Sequence, residues 1–224
     1  MSHPTDYKVA PKSFARLAAD AESLRKLLGA DHRPEFKVWQ AIEFLERTEL
    51  PNKGVLTVHT FNAPLGYAPA RVKYKPLRLF IDRDVKEAAL LGFPFEKYVV
   101  AHEIAHIVEH DNTAKAFSSS EAERLKAWPK EELAEWQADT FADNLLVPWK
   151  YLFSFRFDIN AIASACNVER KVVERQIAAL KAEKRYVCQE CPKCGCFTLA
   201  RKGNALKCET CGNELDTPNA GGVR

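Results

Sequence analysis

The chain has 224 residues, 46% hydrophobic, 28% charged and 10% aromatic, which excludes disordered and fibrous classes and leaves enough apolar side chain for a sizeable core. Its formal charge of +3 is unevenly spread. Residues 1–149 carry 20 Lys+Arg against 22 Asp+Glu and residues 150–224 carry 13 against 8, so any pull on nucleic acid or an acidic partner belongs to the C-terminal end. No run approaches the ~20 unbroken apolar residues of a spanning helix, and the first residues lack the apolar stretch of an export signal, so the expectation is a cytoplasmic protein with no membrane contact.

Residues 13–28 set Phe14, Leu17, Ala18, Ala21, Leu24 and Leu28 at three-to-four spacing before Gly29, which predicts an amphipathic helix. A second helix is expected over 34–48, with Phe36, Trp39, Ile42 and Leu45 on one face. Short β-rich runs at 55–61, 70–74 and 77–82 predict a small sheet. Helical patterns return at 94–110 and 130–146. The polar stretch between them, with three consecutive Ser, reads as a mobile loop or short helix. Residues 158–184 read as two helices around Asn167, in the manner of a helix-turn-helix, with Ile162, Ala163, Val168, Val172 and Ile177 facing inward. Such a pair can pack against the body of the protein or read DNA, and Arg170, Lys171 and Arg175 are its candidate phosphate contacts.

The segment His102-Glu103-Ile104-Ala105-His106 carries the clearest chemistry. Residues four apart on a helix stand one above the other, so both imidazoles can share one Zn²⁺ at ~2.0–2.1 Å. Glu103, turned by ~100° from His102, would lie beside the open coordination position and take a proton from metal-bound water. Glu135, at the start of the next predicted helix, would complete a His₂Glu set, and Asp139, one turn on, could accept the outer ring N–H of one histidine. His110 continues the histidine stripe but lies ~12 Å along the axis from His102, too far to share the ion with both, and reads as a surface residue or an outer partner. His3, His32 and His59 have no partner pattern. Tyr67, Tyr74, Tyr98 and Tyr151 are candidate donors to a developing oxyanion. The run LRLFID offers a strand edge on which an extended substrate could lie, or else a buried strand with no free edge.

Seven Cys leave one unpaired, and six fall between Cys188 and Cys211, a clustering that points to metal in a reducing compartment. Cys191-Pro-Lys-Cys194-Gly and Cys208-Glu-Thr-Cys211-Gly each bring two thiolates onto one ion, with a Gly for the tight turn, and together predict a closed Cys₄ zinc ribbon. Cys188 and Cys196 are surplus, Cys188 being an alternative ligand through its overlapping CxxC, and Cys166 reads as a buried helix residue. Lys193, Arg201, Lys202 and Lys207 give the ribbon a basic surface that permits contact with DNA. Phe197 is its lone ring.

The segments KYVVAHEIAHIVEH and EWQADTFADNLLVP resemble the ImmA/IrrE metallopeptidase family, whose motifs run roughly R-F-x-x-A-H-E-x-x-H and E-x-x-A-N/D-x-F-A-x-x-L-L-x-P. Phe141, Ala142, Leu145, Leu146 and Pro148 match, while Lys97 and Tyr98 stand where the family often has Arg and Phe. The resemblance covers about residues 30–185. It implies an α+β, gluzincin-like core of helices and a small mixed sheet, one catalytic zinc beside the structural one, a helix pair packed on the catalytic unit, and limited proteolysis of a helix-turn-helix repressor or antitoxin. The corresponding organisation is a metallopeptidase core at 1–149, a helical extension at 150–185, the ribbon at 186–216 and a flexible tail at 217–224. HExxH with a terminal ribbon is also similar to SprT/Spartan-like proteases acting on DNA-bound protein, whose third ligand is usually His. A third alternative is a non-catalytic DNA-binding regulator using the helix pair and the ribbon.

Overall fold

The computed structural model describes residues 7–64, 66–111, 115–116, 128–183, 191–195, 199–203, 205–208 and 211–216. Strand β1 (Tyr7–Lys8) pairs with β7 (Lys115–Ala116), and the segment after it runs along the start of a later helix through Val9 N–H to Glu132 O at 2.9 Å and Lys12 N–H to Glu131 O at 3.0 Å. Helix α1 (Phe14–Leu27) begins where Ser13 Oγ accepts from the Arg16 N–H, and it buries Phe14, Leu17, Ala21 and Leu24 as the spacing predicts. Arg25 shares that face. Its guanidinium is fully buried and donates to the carbonyls of Leu145 at 2.7 Å, Ala30 at 2.9 Å and Arg33, tying the loop after α1 to the end of a distant helix. Helix α2 (Val38–Leu45) buries Val38, Ala41, Ile42 and Leu45.

Strands β2 (Glu49–Leu50) and β3 (Gly54–Val55) form a small ladder. The sheet beside the histidine helix has the order β4-β6-β5, made of β4 (Thr57–Phe61), β5 (Ala70–Lys73) and β6 (Arg78–Asp82), with β4 parallel and β5 antiparallel to β6. Leu79 and Ile81 are fully buried on one face. The LRLFID strand is therefore the central one, paired on both sides, and its two possible roles resolve to the strand without a free edge. Asp82 closes β6 and caps the helix that follows, accepting from the N–H groups of Asp84 and Val85. That helix, α3 (Arg83–Leu91), ends at Gly92 with φ 86°, a left-handed residue where Gly costs least.

Helix α4 (Pro94–Glu109) carries the HExxH residues, starts with Pro in its first turn, and ends under two cations. Lys53 Nζ donates to the carbonyls of Ile107 at 2.7 Å and Val108 at 2.8 Å, and Lys12 Nζ to Glu109 O at 2.7 Å, which satisfies orphan carbonyls and opposes the negative end of the helix dipole. After a 3₁₀ turn at Lys130–Glu132, α5 (Ala134–Leu146) packs against both α1 and α4. The short α6 (Trp149–Ser154) leads into α7 (Ile159–Cys166) and α8 (Arg170–Ala182). Asn167 turns between these two at φ 51°, and its amide donates to Gly92 O at 2.8 Å and Glu35 Oε1 at 3.1 Å, so the helix pair is stitched to the body. The stretch expected to be a mobile loop or short helix lies, for residues 112–114 and 117–127, outside the described residues.

Lys97 makes a second stitch, its Nζ donating to Cys166 O at 2.7 Å while the residue is 1% exposed. Burial pushes its pKa down to about 8, with Glu35 pulling the other way. The unfolded chain holds that proton up to about 10.5, so between pH 8 and 10.5 the unfolded state binds more protons and folding gains stability as pH rises. Wild type is therefore expected to gain on a Lys97→Met variant across that window in urea unfolding; an equal gap at pH 8 and pH 10 would remove the buried amine from the account.

Strands β8 (Leu199–Lys202), β9 (Ala205–Cys208) and β10 (Glu214–Asp216) form an antiparallel sheet in the order β10-β9-β8. Among the described residues, most buried apolar side chains belong to a large cluster between Ala21 and Leu180, and Cys191, Leu199 and Cys208 form a small separate one. The fold is mixed α+β, as the sequence leads one to expect. Among the described residues no helix is long and apolar enough to cross a membrane.

Candidate metal centre

Helix spacing stacks His102 over His106 on α4, and the packing of α5 on α4 brings Glu135 against both. His102 Nε2 lies 3.0 Å from His106 Nε2 and 3.1 Å from Glu135 Oε2, and His106 Nε2 lies 3.4 Å from Glu135 Oε1. A tetrahedral ion with bonds of ~2.0 Å separates its ligand atoms by about 3.3 Å, so these three donors stand close to where such an ion needs them. Glu103 is 7% exposed, and its Oε2 has no hydrogen-bond partner, an orphaned buried acceptor beside the donor set. Burial raises the Glu103 pKa against the pull of His106 and His102, and the nearby Val72 backbone amide favours the charged form.

The electrostatics ask for positive charge. Burial alone would lower the His102 pKa, but hydrogen bonds to Asp139 and Glu135 overcome it and hold the ring proton up to about 10. The same contacts, working against burial, pull Glu135 and Asp139 below the usual carboxylate range. Two carboxylates against these rings favour a positive charge between them, and the donor set of two imidazoles and a carboxylate suits zinc or a similar ion.

Each ring is also held from behind. His102 Nδ1 lies 3.0 Å from Asp139 Oδ1, which accepts from Tyr98 O–H at 2.8 Å. This is the contact that the sequence offered Asp139. Tyr98, one of the tyrosines considered as an oxyanion donor, instead spends its hydroxyl on Asp139, a contact a Phe would lack. His110, for which a surface position was open, is buried at 4% exposure with Nδ1 3.0 Å from His106 Nδ1 and Nε2 3.1 Å from Gln137 Oε1. Burial and the neighbouring His106 push its pKa down to about 3.

The second constellation is the four thiols. Cys191 and Cys211 Sγ are 3.7 Å apart and Cys194 and Cys208 Sγ 3.6 Å. A disulfide needs ~2.05 Å, whereas a tetrahedral Cys₄ site with Zn–S bonds of ~2.3 Å spaces its sulfurs by about 3.8 Å. The two knuckles are alike. Gly195 (φ 70°) and Gly212 (φ 71°) turn back to donate to Cys191 O and Cys208 O, both at 2.8 Å, as the CxxCG pattern predicts. Cys188, Cys196 and Phe197 lie outside the described residues. Cys166 is fully buried on α7.

No family model and no curated protein matches the chain. Among solved structures, a Mycobacterium tuberculosis transcriptional regulator superposes with a TM-score of 0.49 at 15% identity, over 72% of this chain and 46% of that one. The chain thus spans less than half the length of that protein.

The remaining candidates divide by what already holds them. Tyr74 O–H donates to His106 O at 2.8 Å and Tyr151 O–H to Asp31 O at 3.1 Å, while Tyr67 is 62% exposed. Of the basic residues on the helix pair, Arg175 forms a bidentate pair with Asp143 at 2.6 and 2.9 Å, Arg170 donates to Asn160 and Lys171 pairs with Glu169. Arg175 also lies over the Tyr98 ring at 4.9 Å, which ties α8 to the wall of the metal centre.

Proposed function

We propose that the chain is a zinc-dependent endopeptidase in which His102, His106 and Glu135 hold the ion and Glu103 is the general base. The observation that carries this reading is the convergence of three metal-donor atoms beside a buried carboxylate with one oxygen unpartnered. Zinc held there would supply the Lewis acidity that acidifies a water molecule and polarises the scissile carbonyl. Glu103 takes the water proton and delivers it to the leaving amine. Asp139, by accepting from His102 Nδ1, keeps the opposite nitrogen bare for the metal. The ribbon would hold a second zinc through Cys191, Cys194, Cys208 and Cys211, a closed set with no open position and hence a structural role.

Strand β5 takes over the part first offered to the LRLFID strand. It packs against α4, its Val72 amide lies near the base, and its side away from β6 pairs with no other strand among the described residues. An extended polypeptide added there would run past the metal. The resemblance to ImmA/IrrE peptidases supports a protein substrate of the repressor or antitoxin kind, reached in the cytoplasm. The test is to incubate the zinc-loaded chain with a proteome-derived peptide library and read new N termini by mass spectrometry. Cuts that vanish when a chelator removes the weaker-bound zinc are expected; zinc binding with no cuts would leave a regulator that uses the ion as a sensor.

A further inference from the structure

The deepest partner of the metal centre is a histidine that cannot itself reach the ion. We infer that His110 and Gln137 form a hydrogen-bond relay that dictates which nitrogen of His106 carries the proton, keeping its Nε2 lone pair free for the metal. The inference rests on the His₂Glu centre proposed above and adds to it two positioning residues, neither of which touches the reacting atoms.

The direction of every bond follows from groups that can only donate or only accept. Gln137 is fully buried, and its amide nitrogen donates to two carbonyls, Ala10 O at 2.8 Å and Glu131 O at 2.6 Å, which fixes the orientation of the amide. Its Oε1 then faces His110 Nε2 at 3.1 Å and can only accept, so the His110 proton sits on Nε2. The ring is 4% exposed and its two nitrogens face an amide oxygen and a neighbouring imidazole, so a second proton on it would be a buried charge with no counter-ion in contact among the described residues. The His110 Nδ1 is therefore bare. His106 Nδ1, 3.0 Å away, must supply the hydrogen between them, which leaves His106 Nε2 without one, facing His102 and Glu135.

The two ligand rings are thus set by different means. His102 is aligned by a carboxylate, which adds negative charge to the centre, whereas His106 is aligned by a neutral ring and a neutral amide, which add none. The relay is anchored at Ala10, in the N-terminal segment that also crosses Glu131 and Glu132 and whose Lys12 caps α4. That segment thereby belongs to the support of the metal centre.

The experiment uses the full chain with the ribbon kept zinc-loaded, titrating the second equivalent of zinc against a competing chelator. His110→Phe removes the acceptor for the His106 proton and is expected to weaken that equivalent by about 10–100-fold. His110→Asn places an oxygen near the position of Nδ1 and is expected to keep most of the wild-type affinity. In wild type stripped of the weaker zinc, long-range ¹H–¹⁵N spectra are expected to find His106 protonated on Nδ1 and His110 on Nε2. Equal weakening by the two substitutions, or a His106 proton on Nε2, overturns the relay. Neither readout involves peptide cleavage, so a chain that binds zinc in this way and cuts nothing refutes the peptidase reading and leaves the relay standing.

Discussion

Replacing Glu103 by Gln is expected to leave two zinc ions bound per chain and to lower peptide cleavage by at least ~10²–10⁴-fold, the usual worth of a general base. Gln has nearly the volume of Glu and fits the same buried slot. Its carbonyl oxygen can face the Val72 amide as the carboxylate does, and its amide group takes the place of the oxygen that has no partner. The three metal donors are on other residues, so the metal content and the melting temperature should hardly move. What Gln cannot do is take a proton. Undiminished cleavage by this variant, with zinc content verified, would remove Glu103 from the mechanism. Glu135→Gln provides the contrast: it weakens an oxygen that lies 3.1 Å from His102 Nε2, and its loss of activity should be accompanied by loss of the second zinc.

What could be read in advance was the part of the structure governed by short-range spacing. An i, i+4 pair of histidines on one helix face and a carboxylate opening the next helix need only local geometry, and Asp139 behind His102 follows from one further turn. The knuckle glycines likewise act within five residues. Contacts that close over long stretches of chain were hidden. Arg25 lies among apolar helix positions, and nothing nearby announces that it donates to Leu145 O, 120 residues away. The partner of His110 is 27 residues away on another helix, so spacing alone leaves open whether this histidine is a surface residue or an outer partner. The LRLFID run has the apolar pattern of a strand, but strand character says nothing about neighbours, and its central place depends on β4 arriving parallel beside it. Helix α3 was missed although its Asp82 cap and Gly92 stop are both present, because exposed Leu90 and Leu91 blur its apolar face. Lys97 and Tyr98 each have a task that short-range spacing does not announce: one amine caps the carbonyl of Cys166 and one hydroxyl donates to Asp139.

Replacing Cys208 by Ser is expected to abolish zinc binding at the ribbon and unfold residues 191–216 while leaving the large core intact. Among the described residues, the apolar cluster of the module holds Cys191, Leu199 and Cys208, with Leu206, Cys211 and Leu215 packed on it. That is far too little buried surface to offset the ordering of three strands. A bound metal would supply the difference, since structural zinc in small modules supplies an apparent ~10–16 kcal/mol near neutral pH. Cys208 is fully buried, the last residue of β9 and 3.6 Å from Cys194 Sγ, so a serine there leaves three sulfurs and an oxygen that binds zinc poorly. The core between Ala21 and Leu180 buries its own side chains and includes the helices that carry His102, His106 and Glu135. Zinc content should therefore fall from two per chain to one, amide exchange should become fast across β8, β9 and β10, and cleavage of short peptides should persist. Loss of both ions together would mean that the two centres fold as one unit.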